Sequence, residues 1–211
     1  GDEALLSSIL QALLELEPKA EITVISGNPS ETMSTHKVKA IGRFDMWKIY
    51  QAVYSCDMLI SGGGSLLQDV TSARSLYYYL SIIALANTLG KRVMIYAQGI
   101  GPLRKSLARS TVGRVLNQVS MITVRDHASK EELRSLGIHH VPITVTADAV
   151  LGMHPVEATA GRDILASYGV PLDQPIVGVS VRAWKDCTEY QTTLAEALDQ
   201  IHRETEAHIV F

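Results

Sequence analysis

At 211 residues the chain is long enough for one large or two modest domains. It is 46% hydrophobic and 19% charged, the balance of an ordinary globular protein, and its formal net charge of -3 excludes the basic footprint of a nucleic-acid binder. Its two cysteines, Cys56 and Cys187, are too few and too far apart for a disulfide framework, which points to a reducing, cytoplasmic compartment. Its seven histidines are scattered without helical metal-ligand spacing, so neither a metal nor a cofactor is expected.

The predicted elements begin with a helix. Leu5, Leu6, Ile9, Leu10, Leu13 and Leu14 recur at helical spacing, Asp2 and Glu3 lie where the helix dipole favours acids, and Pro18 ends the pattern. Glu21 to Ser26 reads as a strand and Gly27-Asn28-Pro29 as a turn. Lys37 to Ile41 reads as a short strand and Asp45 to Tyr54 as a helix. Strands and helices then alternate: strand 57–61 and helix 72–89, strand Arg92 to Ala97 and helix 106–117, strand 120–125 and helix Ser129 to Leu136, then strand Ile143 to Val145. The longest apolar stretch, Leu76 to Leu89, is broken by Ser81, Asn87 and Thr88. It falls short of the roughly 20 residues that cross a bilayer, so no transmembrane segment is predicted. This alternation implies βαβ units and a doubly wound, Rossmann-like parallel sheet with helices on both faces. The unbroken apolar character of the strands suits a sheet covered on both sides.

Around His154-Pro155 the pattern changes. Gly161 to Tyr168 reads as a helix, Pro175 to Arg182 as a strand, Tyr190 to Glu204 as a helix and 207–211 as the start of another strand. The expected division is an N-terminal Rossmann-like domain over 1–155, then a linker helix and the opening of a second α/β domain over 156–211. Both ends read as interruptions, because Gly1 opens at a helix start and Phe211 stops within an apolar strand. The expectation is therefore a piece of a longer protein, with a first strand before Gly1.

Every candidate site residue follows a strand. Gly62-Gly63-Gly64-Ser65-Leu66-Leu67-Gln68-Asp69 follows Met58-Leu59-Ile60. Three glycines at a strand-to-helix junction leave backbone N–H groups uncovered by any Cβ, so an anion or a sugar can approach the main chain. The alternative is a tight turn chosen for packing. Gln98-Gly99-Ile100-Gly101-Pro102 follows the next strand, and Arg125 ends the third. A guanidinium there offers a planar fork to carboxylate or phosphate, or else a salt bridge to Asp126 or another local acid. Arg182, after the first strand of the second domain, takes the same two readings. Asp69 and Asp148 either orient sugar hydroxyls or cap helices. His127 reads as a helix-start residue rather than a general acid. In a doubly wound sheet these carboxyl ends share one edge, so residues distant in sequence converge there.

Several familiar signatures are missing. There is no Asp-x-Asp pair for a metal-bound nucleotide sugar, no Walker phosphate loop, no Gly-x-Ser-x-Gly elbow and no Gly-x-Gly-x-x-Gly fingerprint.

Read together, five stretches resemble the polysaccharide pyruvyl transferase family, and within it the cell-wall branch. They are Gly1-Asp2-Glu3-Ala4-Leu5-Leu6; Gly62 through Ser72; Gln98-Gly99-Ile100-Gly101-Pro102-Leu103; Val124-Arg125-Asp126 with Ser129; and Gly178-Val179-Ser180-Val181-Arg182. The resemblance implies a GT-B-like two-domain fold with its site in the interdomain cleft. It implies transfer of the enolpyruvyl unit of phosphoenolpyruvate to a sugar, giving a 4,6-linked pyruvate ketal and phosphate. For the cell-wall branch it implies a lipid-linked saccharide acceptor carrying N-acetylmannosamine at the inner membrane face, and a product that anchors S-layer proteins. Arg125 becomes the first choice for the donor's charge. The catalytic acid and base are not identified in 1–211, and the family's acid/base histidine is expected beyond Phe211. A GT-B glycosyltransferase with a nucleotide-sugar donor shares the fold and the glycine loops. A non-catalytic carbohydrate or anion-binding module is the rival from a different class.

Overall fold

The apolar runs become short parallel strands that alternate with helices. The structure, a computed structural model, describes residues 1–70, 72–181 and 189–211. Gly1–His154 and Pro155–Phe211 form two compact units.

The first unit runs α1 (Asp2–Leu16), β1 (Thr23–Ser26), α2 (Pro29–His36), β2 (Lys39–Gly42), α3 (Met46–Ser55), β3 (Met58–Gly62), α4 (Ala73–Thr88), β4 (Arg92–Gln98), α5 (Ser106–Leu116), β5 (Met121–Val124), α6 (His127–Ser135) and β6 (Ile143–Val145), then a 3-10 turn at Ala149–Gly152. Local chemistry sets several helix starts. The side chains of Asp45, Ser72 and Asp126 accept from the backbone N–H of Lys48, Ser75 and Ser129, satisfying first-turn donors that have no intrahelical partner. The turn expected at Gly27-Asn28-Pro29 continues directly into α2, which the sequence reading passed over. Pro29 occupies the first turn, where a missing N–H costs nothing. Thr32 ties α2 to β1 through a 2.7 Å bond between its hydroxyl and that of Ser26.

The main sheet has four parallel strands in the order β3-β4-β5-β6, while β1 and β2 pair in parallel as a separate sheet. The four-stranded sheet thus runs in chain order and contains no reversal of strand order among the described residues. With right-handed crossovers that order sends α4, α5 and α6 to one face. Leu59 packs there with Leu76, Leu80 and Ile83 in the buried core, together with Val93, Ile95, Ile122 and Val124. Alternation then turns Ile60 and Gly62 to the opposite face, where Ile9 of α1 lies against Gly62. Helices therefore cover both faces, as expected. α1 is fixed by the Ser8 hydroxyl, which donates to the Ala149 carbonyl, and by a 2.8 Å contact between Glu3 and His36 of α2.

One irregularity shapes the sheet edge. Ile95 pairs with Ile122 but Gln98 with Val124, so β4 carries one residue more than β5 between those pairs. The bulge holds Ala97 at φ +48°, a left-handed conformation unusual for alanine. Its buried N–H donates to the Thr123 hydroxyl at 2.8 Å. Thr123→Val keeps the shape and removes that acceptor. It is expected to cost about 1–3 kcal/mol, read as a lower midpoint in chemical unfolding.

The second unit runs α7 (Ala158–Ser167), β7 (Ile176–Gly178), α8 (Glu189–Thr205) and β8 (His208–Val210). β7 and β8 pair in parallel, Ile176 with His208 through Gly178 with Val210. Of the strand expected over 175–182, Ile176–Gly178 is formed, and Val179 N–H continues the ladder to the Val210 carbonyl. Arg182 and Cys187 lie outside the described residues. Among the described residues no helix is long and apolar enough to cross a membrane.

Candidate functional site

The ends of β3 and β4 continue past the sheet as two loops hydrogen-bonded along their length. Gly63 N–H donates to Tyr96 O (3.0 Å), Gly99 N–H to Gly64 O (2.8 Å), Gly101 N–H to Leu67 O (2.9 Å) and Asp69 N–H to Pro102 O (3.3 Å). Leu67 and Ile100 form a bridge between them, and the Ser129 hydroxyl takes Ile100 N–H at 2.9 Å, tying both loops to α6.

The glycine run does two jobs, and the first differs from the expected one. The space a Cβ would occupy at Gly62 and Gly63 is filled by Ile9 and Leu5 of α1, at 2.9 and 3.2 Å. These glycines therefore admit a helix on that side rather than opening the main chain to a ligand. Gly63 and Gly64 also take φ of +75° and +64°, which make the turn. The close approach that shapes the cleft lies at Gly99 instead. A Cβ there would stand 2.7 Å from both the Arg125 Nε and the Ser65 Oγ.

Asp69 is a cap, not an open ligand group. Its carboxylate accepts the N–H of Arg104 (2.9 and 3.0 Å) and of Lys105 (2.8 Å), just before α5. Those backbone bonds hold its carboxyl below the usual range. Gln68 closes its own loop by accepting Val70 N–H at 3.1 Å. Gln98 is fully buried; its amide donates to the Ser61 carbonyl and hydroxyl at 3.1 Å, while its own oxygen has no partner. It braces β3 against β4 and does not line the cleft.

Of the expected residues, Ser65, Gly99 and Arg125 meet on one cleft of about 400 Å³, which Arg109 and Glu132 also line. The Arg125 Nη1 lies 3.2 Å from Asp148 and its Nε 3.4 Å from Asp126, the salt-bridge reading of this residue, and its side chain also lines the cleft. Asp148 also caps the 3-10 turn through Val150 N–H. Asp126 caps α6; the Ser129 bonds, with a smaller contribution from Arg125, hold its carboxyl below the usual range. His127 opens α6 and is exposed, as expected of a helix-start residue.

Arg109 and Glu132 were not singled out in the sequence. Their 2.6 Å ion pair joins α5 to α6, and Arg109 also donates to Leu103 O and Ser135 Oγ. In the sequence they read as ordinary charges on helix surfaces; only Glu132's place one turn after Ser129 hinted that it shares a wall with the loops. The cleft thus carries two guanidinium groups, each matched by carboxylate. Among the described residues no group of three or more His, Cys, Asp or Glu is placed to hold a metal ion.

Asp69 and Asp126 share a pH signature. A carboxyl held low in the folded state stabilises it above its unfolded range, near pH 4, and loses that contribution as pH falls through the folded value. Unfolding midpoints in urea are expected to drop between about pH 5 and about pH 3, with a shallower drop for Asp69→Asn.

A search of curated proteins gives no match. The family model for polysaccharide pyruvyl transferases, by contrast, matches residues 1–206, taking in the glycine loop, the Gly99–Pro102 turn and Arg125. The chain belongs to the polysaccharide pyruvyl transferase family.

Proposed function

We propose that this protein uses phosphoenolpyruvate to place a 4,6-linked pyruvate ketal on a sugar. In that reaction C2 of the donor gains two bonds to sugar oxygens, one hydroxyl proton goes to the methylene carbon, and the other leaves with phosphate. Arg125, oriented by Asp148 and Asp126, holds the donor's anionic end by exchanging one of those acid contacts for the ligand. Ser65 and the Gly99 main chain form the adjoining wall. In this reading the second unit belongs to a domain of GT-B type, and Arg182 is a further candidate for contact with substrate. The acceptor in this reading is a lipid-linked precursor of a secondary cell-wall polymer, with N-acetylmannosamine as the modified sugar, as in cell-wall pyruvyl transferases of the CsaB kind. The enzyme works at the cytoplasmic membrane face, and its product anchors S-layer proteins.

The observation that supports this reading is the meeting of Ser65, Gly99 and Arg125 on one cleft, in a chain matched by the family model over 1–206. The test is phosphate release from phosphoenolpyruvate by the complete enzyme, dependent on the saccharide acceptor. No release overturns the proposal. Thermal stabilisation by a nucleotide sugar, with none by phosphoenolpyruvate, would favour a GT-B glycosyltransferase instead.

A further inference from the structure

α3 is pinned to the core on one side by Ile49 and Val53, which are 0% and 2% exposed. Its other side is aromatic and open. Trp47, Tyr50 and Tyr54, at positions i, i+3 and i+7, are 68%, 37% and 62% exposed. Their rings stack in series, with centroids 5.8 and 6.1 Å apart and planes within 19° and 22°. Phe44 and Met46 extend the patch toward the start of the helix. Cations flank it: the Arg43 guanidinium lies 5.0 Å from the Phe44 ring centre, and the Lys91 ammonium 5.8 Å from that of Tyr54. The helix carries Lys48 and no acid; Asp45 before it is engaged with Lys48 at 3.2 Å.

We propose that this face docks on an anionic lipid surface, with the rings in the headgroup region and Arg43, Lys48 and Lys91 against lipid phosphates. Hydrated headgroups satisfy the tyrosine hydroxyls, the indole N–H and the adjacent cations together. Basic residues beside aromatics complement a negatively charged leaflet. α3 is ten residues long and core-anchored, so it acts as a rigid wedge on the surface.

The experiment is co-sedimentation of the chain with vesicles, without donor or saccharide, so its failure leaves the proposed reaction untouched. With vesicles of phosphatidylglycerol and phosphatidylcholine in equal parts, the chain is expected to partition onto lipid, and added salt to weaken it. The Trp47→Ala, Tyr50→Ala, Tyr54→Ala variant is expected to lose about tenfold or more in partition. A second variant, Arg43→Gln, Lys48→Gln, Lys91→Gln, leaves every ring in place and is expected to lose binding to mixed vesicles but not to phosphatidylcholine alone. No partition by the unmodified chain, or equal partition by the charge variant, overturns the proposal. So does sedimentation showing a dimer that the ring substitutions dissociate, which would assign the face to a second copy of the chain.

Discussion

Arg125→Lys is expected to raise the KM for phosphoenolpyruvate about tenfold to a hundredfold in the complete enzyme, with kcat changed far less. The guanidinium is held by Asp148 and Asp126 on separate nitrogens, 3.2 and 3.4 Å away. It lies against Gly99, where any side chain would collide with it. Lysine keeps the charge but presents a single ammonium, so it cannot keep its orienting acids and face a donor at once. Losing one charge-assisted hydrogen bond to the donor is worth about 1.5–3 kcal/mol, which is the tenfold to hundredfold range. Steady-state kinetics with varied donor, alongside circular dichroism to confirm an unchanged fold, decides the matter. An unchanged KM would make Arg125 a strut between β5 and the turn after β6, and would move the donor's charge to another cation.

Gly113→Ala is expected to be the most damaging single-methyl change in the first unit, costing about 2–4 kcal/mol and lowering Tm by roughly 5–15 °C. Gly113 lies in the buried face of α5, and a Cβ there would stand 2.6 Å from the backbone oxygen of Leu136 at the end of α6. A carbonyl cannot rotate away as a side-chain tip can, so the helices must separate. Separation also strains Asn117, whose amide bridges the Gly113 and Gly137 carbonyls at 2.9 and 3.2 Å. Gly161, exposed in α7 with nothing within 4 Å of its missing Cβ, supplies the contrast. Gly161→Ala is expected to stabilise the second unit by about 0.5–1 kcal/mol through helix propensity alone. Calorimetry on both variants reads the two signs directly.

The regular part of the fold was legible because it depends on period. The strands β3 to β6 are short apolar runs, and the helices between them carry apolar faces at helical spacing, so both types and order could be read. α2 was not legible, because Pro29 looks like a breaker and the segment through His36 offers little apolar periodicity. At the site, strand ends were readable but side-chain partners were not. Nothing local to Asp69 announces that its carboxylate meets the N–H groups of Arg104 and Lys105. Nothing local to Gly62 announces that Ile9, far earlier in the chain, fills its side. The glycines could be recognised as special, but whether they make room for a helix or for a ligand is decided only by tertiary packing.

The pairing of the loop after β3 with the turn after β4 has a consequence for dynamics. Loops that carry function usually open on their own, at a free energy well below that of the whole domain. Here the amides of Gly99, Gly101 and Asp69 are bonded strand-fashion and Ile100 is latched to α6. They should exchange hydrogen with solvent as slowly as the core of β4, not on the faster scale of the surface turns. The wall they form behaves as an extension of the sheet's cooperative unit. Changes in what the cleft accepts would then come from substitutions at Ser65, Arg109 or Glu132, whose side chains can vary while the frame stays closed.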